Sequence, residues 1–247
     1  MSGHSKWATI KHKKAATDAK RGNLFTKLIK EITVAARSGG NPDINPKLRV
    51  AIDRAKDASM PSDNIDRAIK KGTGELPGVS YEEMMLEGYG PGGVAIYVEL
   101  LTDNKNRTSS EVRNLFSKKG GNMAGAGSVG WIFEKKGYIS IVKSAIDEDK
   151  LMSIVLDAGA EDMIVEETEY GVKTLPQDFY KVKKALEDNK IKIETAELTM
   201  LPKNTIKVVG DEARKVLELV NTLEEHDDVQ NVYANFDIPD ELLAQQE

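Results

Sequence analysis

Lys6, Lys11, Lys13, Lys14, Lys20 and Arg21 share one short stretch with His12 and Trp7, and the only acid among them is Asp18. A lysine ammonium neutralises phosphate as a point charge and needs no fixed geometry to do so. An indole face stacks on a nucleobase, a contact worth about 1–3 kcal/mol per base when measured by truncation. Cations at 11, 13, 14, 20 and 21 cannot all lie on one helical face, so they do not read as one side of a packed helix. The chemistry this pattern suits is binding of a polyanion, on which so polar a segment is expected to order. Trp7 has a second reading, as the residue that docks the arm on a neighbouring helix.

The rest of the chain sharpens the contrast. Residues 1–71 hold 16 Lys/Arg against 7 Asp/Glu, a net of +9, while residues 72–247 hold 19 against 33, a net of −14. Such asymmetry, more than the total of −5, sets the field a partner meets. Lys27 and Lys30 extend the basic run into the next helical segment. Arg107, Arg113, Lys118 and Lys119 form a secondary contact set farther along. The expected partner is a nucleic acid, with no small-molecule substrate, cofactor or metal implied.

Catalytic readings are weak throughout. The glycines of "EGYGPGGVAIYVE" do not open a helix, so neither the P-loop nor the dinucleotide fingerprint fits, and a tight hairpin connection explains them. Ser128 in "AGSVG" misses the G-x-S-x-G elbow by its first glycine. "GGNMAGAGSVGW" therefore reads as a flexible glycine-rich loop. Asp103 is a conceivable base but stands alone, and Thr102, Asp103 and Asn104 serve equally as helix caps. His4 and His12 lack neighbours for a metal set, and His226 lies in a run of acids. The chain is expected not to be an enzyme.

With 247 residues and no cysteine, the chain can bury a core without disulfides or thiolate-bound metals. No apolar run approaches the ~20 residues of a membrane span, and the charged start does not resemble a secretory signal, so a cytoplasmic location is expected. Apolar residues at helical spacing predict helices over 23–38, over 46–58 with Asn45 as N-cap, and from Ser62 to Gly72 burying Ile65 and Ile69. Lys27, Lys30, Arg49, Arg54, Lys56, Arg67, Lys70 and Lys71 are expected on their free faces.

Beyond the linker "GTGELPGVS" the pattern changes to alternation. Strands are predicted near 82–88, 93–101 and 129–134, with a helix at 105–119. Residues 138–199 follow as strand, helix, strand, strand, helix, strand, the βαββαβ order. A strand at 205–209, a helix at 211–226 and a strand at 229–236 complete the chain. The expected fold is α+β in three domains: a basic arm and helical bundle (1–76), a discontinuous α+β domain (77–134 with 204–240), and a ferredoxin-like domain inserted in it (135–203). Both α+β domains are expected to be ferredoxin-like.

"GHSKWATIKHKKAATDAKRGNLFTKL", "MPSDNIDRAIKKGTGE", "EGYGPGGVAIYVELLTDNKNRT" and "VRNLFSKKGGNMAGAGSVGWIFEKKG" closely resemble the YebC/PmpR family, in order and over essentially the whole chain. The resemblance implies a helical amino-terminal domain with two α+β domains, and a cytoplasmic regulator that binds DNA to control transcription. It also implies an alternative, because mitochondrial relatives are translational activators and some bacterial members act at the ribosome. The residues themselves add that no helix of the bundle shows a row of Arg, Asn and Gln suited to reading base edges. Lysine contacts to phosphate position a protein but specify little sequence. A ribosomal RNA-binding translation factor is accordingly the runner-up to a DNA-binding regulator, and an enzyme acting on nucleotides a distant third.

Overall fold

The computed structural model describes residues 18–166 and 168–239. Three helices open it: α1 (Asp18–Ala36), α2 (Pro46–Asp57) and α3 (Ser62–Thr73). Leu28, Ile32 and Ala36 recur every fourth residue on α1 and meet Leu48, Ala51, Ile52 and Ala55 of α2 and Ile65 and Ala68 of α3 in one apolar cluster. Asn45 caps α2 as its spacing predicts, its side chain accepting the Leu48 N–H at 3.1 Å. The same side chain donates to the carbonyls of Ala35 and Gly39, both at 2.8 Å, which ties the end of α1 to the start of α2.

Gly72 does not end α3. A Cβ there would lie 2.4 Å from the Thr33 carbonyl oxygen and 2.6 Å from the Ala36 Cβ, so the glycine lets α3 cross α1 closely. The helix stops at Gly74, whose φ of 84° is the left-handed cap that glycine adopts without penalty. Ile69, expected in the core, packs at its margin, and Ala68 takes the interior position.

The first sheet contains β1 (Glu82–Tyr89), β2 (Ala95–Thr102), β3 (Asn122–Ala124) and β9 (Val229–Ala234), in the spatial order β3-β1-β2-β9 with every pairing antiparallel. Helix α4 (Lys105–Lys118) packs on β1 and β3, and α7 (Gly210–Glu224) packs on β9 and α4. The β1–β2 hairpin occupies the centre of this sheet. In the βαββαβ arrangement the hairpin lies at an edge, so the expectation that both α+β parts share that design is corrected for this one.

Two further corrections follow from pairing. The strands predicted at 129–134 and 138–142 are one strand, β4 (Phe133–Val142), preceded by a single 3-10 turn at 130–132. "KKG" at 135–137 suggests a break, but Gly137 lies inside the strand, where a Cβ would fall 2.3 Å from the Thr174 hydroxyl and 2.5 Å from the Phe179 ring. The fourth strand of the first sheet is instead β3, a segment the glycine-rich loop conceals. The strand predicted at 205–209 shortens to β8 (Ile206–Lys207) and pairs in parallel with β10 (Phe236–Asp237), outside the first sheet.

The second four-stranded sheet runs β5 (Asp162–Val165), β6 (Glu169–Thr174), β4, β7 (Thr195–Pro202), all antiparallel. With α5 (Glu148–Asp157) between β4 and β5, and α6 (Phe179–Asp188) between β6 and β7, its strand order is that of the βαββαβ unit. Ile139, Ile141 and Val172 of the sheet bury against Leu151 and Val155 of α5 and Val182 and Leu186 of α6. The chain is thus α+β. It forms two compact units, one of residues 18–129 with 209–234 and the other of residues 130–208 with 235–239. The helical bundle belongs to the same unit as the first sheet.

Candidate nucleic-acid interface

Lys6, Trp7, Lys11, His12, Lys13 and Lys14 lie outside the described residues, so the heart of the expected arm has no place in the geometry. Lys20 and Arg21 fall in the first turn of α1. On the bundle, Arg49, Lys56, Arg67, Lys70 and Lys71 are exposed as expected, Lys47 is exposed beside them, and Arg54 is exposed with its guanidinium on Glu31 at 2.8 Å.

Lys27 and Lys30 behave otherwise. They stand with Asn23 at i, i+4 and i+7 of α1, along one side of the helix. That side faces the end of α7: Asn23 donates to the Glu225 carbonyl at 2.7 Å, Lys27 to the Glu224 carbonyl, and Lys30 to the Asp227 carbonyl at 2.9 Å. Lys30 is only 6% exposed. The expectation that it occupies a free face is corrected, because its ammonium lies 2.6 Å from Asp228 and 5.5 Å from the centre of the Tyr81 ring. Its charge is neutralised inside the protein.

Asp228 is the hub of this cluster. It is 4% exposed, and the Lys30 ammonium reaches its Oδ1. Oδ2 accepts from Arg107 Nη2 and Thr108 Oγ1, both at 2.6 Å, and from Thr102 Oγ1 at 3.1 Å. Burial alone would raise its pKa, but the hydrogen bonds from Lys30, Thr108 and Arg107 outweigh it and hold the carboxyl well below the usual range. The bond to Asp228 in turn raises the Arg107 pKa further, with burial opposing it. Tyr81 is pushed up first by burial, then by the negative charges of Asp103 and Asp228.

The sequence places these groups through local rules. Asn104 caps α4 by accepting the Arg107 N–H at 3.1 Å, and Thr102 Oγ1 accepts the Asn104 N–H at 2.9 Å. The cap fixes the first turn of α4, which presents Arg107 and Thr108 to Asp228. His226 completes the far side. Its Nδ1 accepts the Asp228 N–H at 3.1 Å, which leaves Nε2 as the protonated nitrogen that donates to Glu111 at 3.0 Å.

A cleft of about 690 Å³ opens here, with Thr26, Tyr81, Asn114 and Leu115 among its walls. Its carboxylates already have partners: Asp103 pairs with Arg107 at 2.9 Å, Glu111 accepts from the His226 imidazole, and Asp228 pairs with Lys30 and Arg107. A carboxylate already held by a guanidinium is poorly placed as a general base, which removes the geometric support for Asp103 in that role. Among the described residues no three His, Asp or Glu gather to hold a metal ion.

Of the secondary set, Arg107 belongs to this cluster, Arg113 and Lys118 are exposed on α4, and Lys119 meets Glu218 at 3.2 Å. The glycine-rich loop is tied down, contrary to the flexible reading. The Glu87 carboxylate accepts the N–H groups of Gly127 at 2.7 Å and Val129 at 2.6 Å, and Tyr89 donates to the Ser128 carbonyl at 3.2 Å. Asp228 and Thr108 carry no signal of their own in the sequence, and His226 is there only a histidine in a run of acids. The run "EEHDD" at 224–228 was the available signal, since acids crowded at a helix end need cations from elsewhere.

A family model described as the TACO1/YebC protein N-terminal domain matches residues 5–75, and one described as the TACO1/YebC second and third domain matches residues 81–236. The chain is 58% identical over 245 residues to a "Probable transcriptional regulatory protein" of Dictyoglomus turgidum, covering 98% of each chain. It is 57% identical to one so named from Desulfatibacillum aliphaticivorans, covering 99% of this chain and all of the relative. Among solved structures, a conserved hypothetical protein from Aquifex aeolicus superposes with a TM-score of 0.80 at 50% identity, over 92% of this chain and 94% of that one. No helix among the described residues is long and apolar enough to cross a membrane.

Proposed function

The chain belongs to the TACO1/YebC family, and from that premise we propose that it is a non-enzymatic regulator of gene expression that binds nucleic acid, DNA in the first instance, through its basic arm and the exposed cations of the bundle. The names of its relatives support a regulatory role. The observation that carries the contact surface is where the positive charge lies. Residues 1–17 contain four lysines and no acid, whereas Lys27 and Lys30 of α1 are engaged on α7 and Asp228. By sequence the arm is therefore the densest acid-free stretch of cation in the amino-terminal part, with Lys47, Arg49, Lys56, Arg67, Lys70 and Lys71 as supporting exposed charge. The net −14 of residues 72–247 repels phosphate and confines contact to the amino-terminal part.

Salt dependence tests this. Each phosphate neutralised on duplex DNA contributes about −0.9 to the slope of log K against log[salt]. Changing Lys11, Lys13 and Lys14 together to Ala flattens that slope by about 2–3, almost equally for unrelated sequences. Trp7→Ala leaves the slope nearly unchanged and weakens looped RNA more than duplex DNA if base stacking is its role. A triple variant that stays folded and binds with an unaltered slope removes the arm from the interface. Stronger binding to ribosomal RNA than to any duplex would replace the transcriptional reading with the translational one.

A further inference from the structure

Helix α7 ends badly by its own sequence. Its last turn contains no basic residue, and "EEHDD" at 224–228 places four acids where the helix dipole is already negative. The missing cations come from another helix. Lys27 and Lys30 of α1 donate to the carbonyls of Glu224 and Asp227, Asn23 donates to that of Glu225, and Lys30 pairs with Asp228. Among the described residues, the core cluster of the bundle and the partly buried side chains packed against it are drawn from residues 24–69, so this cluster takes no side chain from the first sheet. The cleft along this seam is an unpromising ligand site, because Asp103, Glu111 and Asp228 each already face a cation or imidazole.

We propose that this seam is a polar joint: α1 supplies in trans the cations that the acidic end of α7 lacks, and removing Lys27 and Lys30 frees the helical bundle from the first sheet while both stay folded. The physical basis is the separation of roles. Each part has an apolar core of its own, which holds it together, whereas orientation between the parts rests on charge-assisted bonds that require α1 to sit in one place. Asp228 keeps Arg107, Thr108 and Thr102 when Lys30 is gone, so the sheet side of the joint retains its own partners. The inference stands apart from the proposed nucleic-acid contact, and its test contains no nucleic acid.

The chain has no cysteine, so two can be introduced without interference. Lys56→Cys on α2 and Arg214→Cys on α7, both exposed, carry spin labels for a distance measurement in the full-length protein. The parent gives one narrow distance distribution. Lys27→Met with Lys30→Met gives a broad distribution reaching longer distances, with far- and near-ultraviolet circular dichroism retained, and Lys27→Arg with Lys30→Arg restores much of the narrow peak. An unchanged narrow distribution in a folded Met double variant overturns the joint. So does outright unfolding of that variant, which would make bundle and sheet one cooperative block.

Discussion

Two buried carboxylates in the same compact unit, Glu87 and Asp228, solve the problem of an internal negative charge in opposite ways. Glu87, 8% exposed on β1, accepts backbone N–H groups of Gly127 and Val129 and so folds a loop of glycines onto the first sheet. Asp228, 4% exposed just before β9, accepts from the side chains of Lys30, Arg107, Thr108 and Thr102 and so gathers α1, α4 and the end of β2 around one atom pair. Backbone donors come with any residue type, and their use costs the loop only its freedom. Side-chain cations must themselves be desolvated, and each becomes a liability if the carboxylate is lost. The first arrangement shapes a loop; the second makes distant elements depend on one another.

Breaking the comparison at its stronger end should have the largest effect. Asp228→Ala strands the Lys30 ammonium in a buried site and takes one of its carboxylate partners from Arg107, a loss of about 3–5 kcal/mol in the stability read from urea or guanidinium unfolding. A double variant, Asp228→Leu with Lys30→Met, recovers part of that loss, because it leaves no uncompensated charge at the seam.

Glu87→Gln should cost less, about 1–3 kcal/mol, since one neutral acceptor remains and the donors are ordinary amides. Its signature is local. Hydrogen exchange at Gly127 and Val129 accelerates well before the amides of β2 or α7 respond. A Glu87→Gln variant that exchanges uniformly faster would show that the loop and the sheet open together.

The smallest effect is the pH dependence, which sharpens the contrast in sign and range. The Asp228 carboxyl is depressed in the folded state, so its contribution is fully present above the unfolded value of about 4 and is lost as pH falls through the folded value. Stability is therefore expected to be flat in this respect from pH 5 to 7 and to decline in more acid solution. In Asp228→Asn the acid-side decline becomes shallower, as measured by midpoints of urea unfolding at a series of pH values. An unchanged acid limb would mean that the hub does not bind its proton as the geometry requires.

Much of the local structure could be read directly. The Asn45 cap, a cap among Thr102, Asp103 and Asn104 that falls to Asn104, the four-residue recurrence of Leu28, Ile32 and Ala36, and the alternating strands of the second sheet all depend on neighbours close in sequence. Glycine misled in two directions. Gly137 falls in the gap between two predicted strands, where tight packing on Phe179 requires the absence of a side chain, and Gly72 stands at a predicted helix end where α1 crosses. Both are decided by what lies across the gap, which no pattern along the chain contains. The glycine-rich loop likewise looked mobile because Glu87, the residue that holds it, stands 40 positions from Gly127.

By itself the sequence determined the α+β class, most helices and the Asn45 cap, the family, and the division of charge between a basic start and an acidic remainder, because composition and short-range periodicity are carried by the chain directly. The tertiary structure alone decided which cations of the helical bundle are engaged within the protein. Lys27 and Lys30 are indistinguishable from their exposed neighbours by residue type and helical spacing. Lys30 turns inward because Asp228, 198 residues away in sequence, is brought within 2.6 Å of it. Burying that pair becomes favourable only once the carboxylate is also hydrogen-bonded by Thr108 and Arg107.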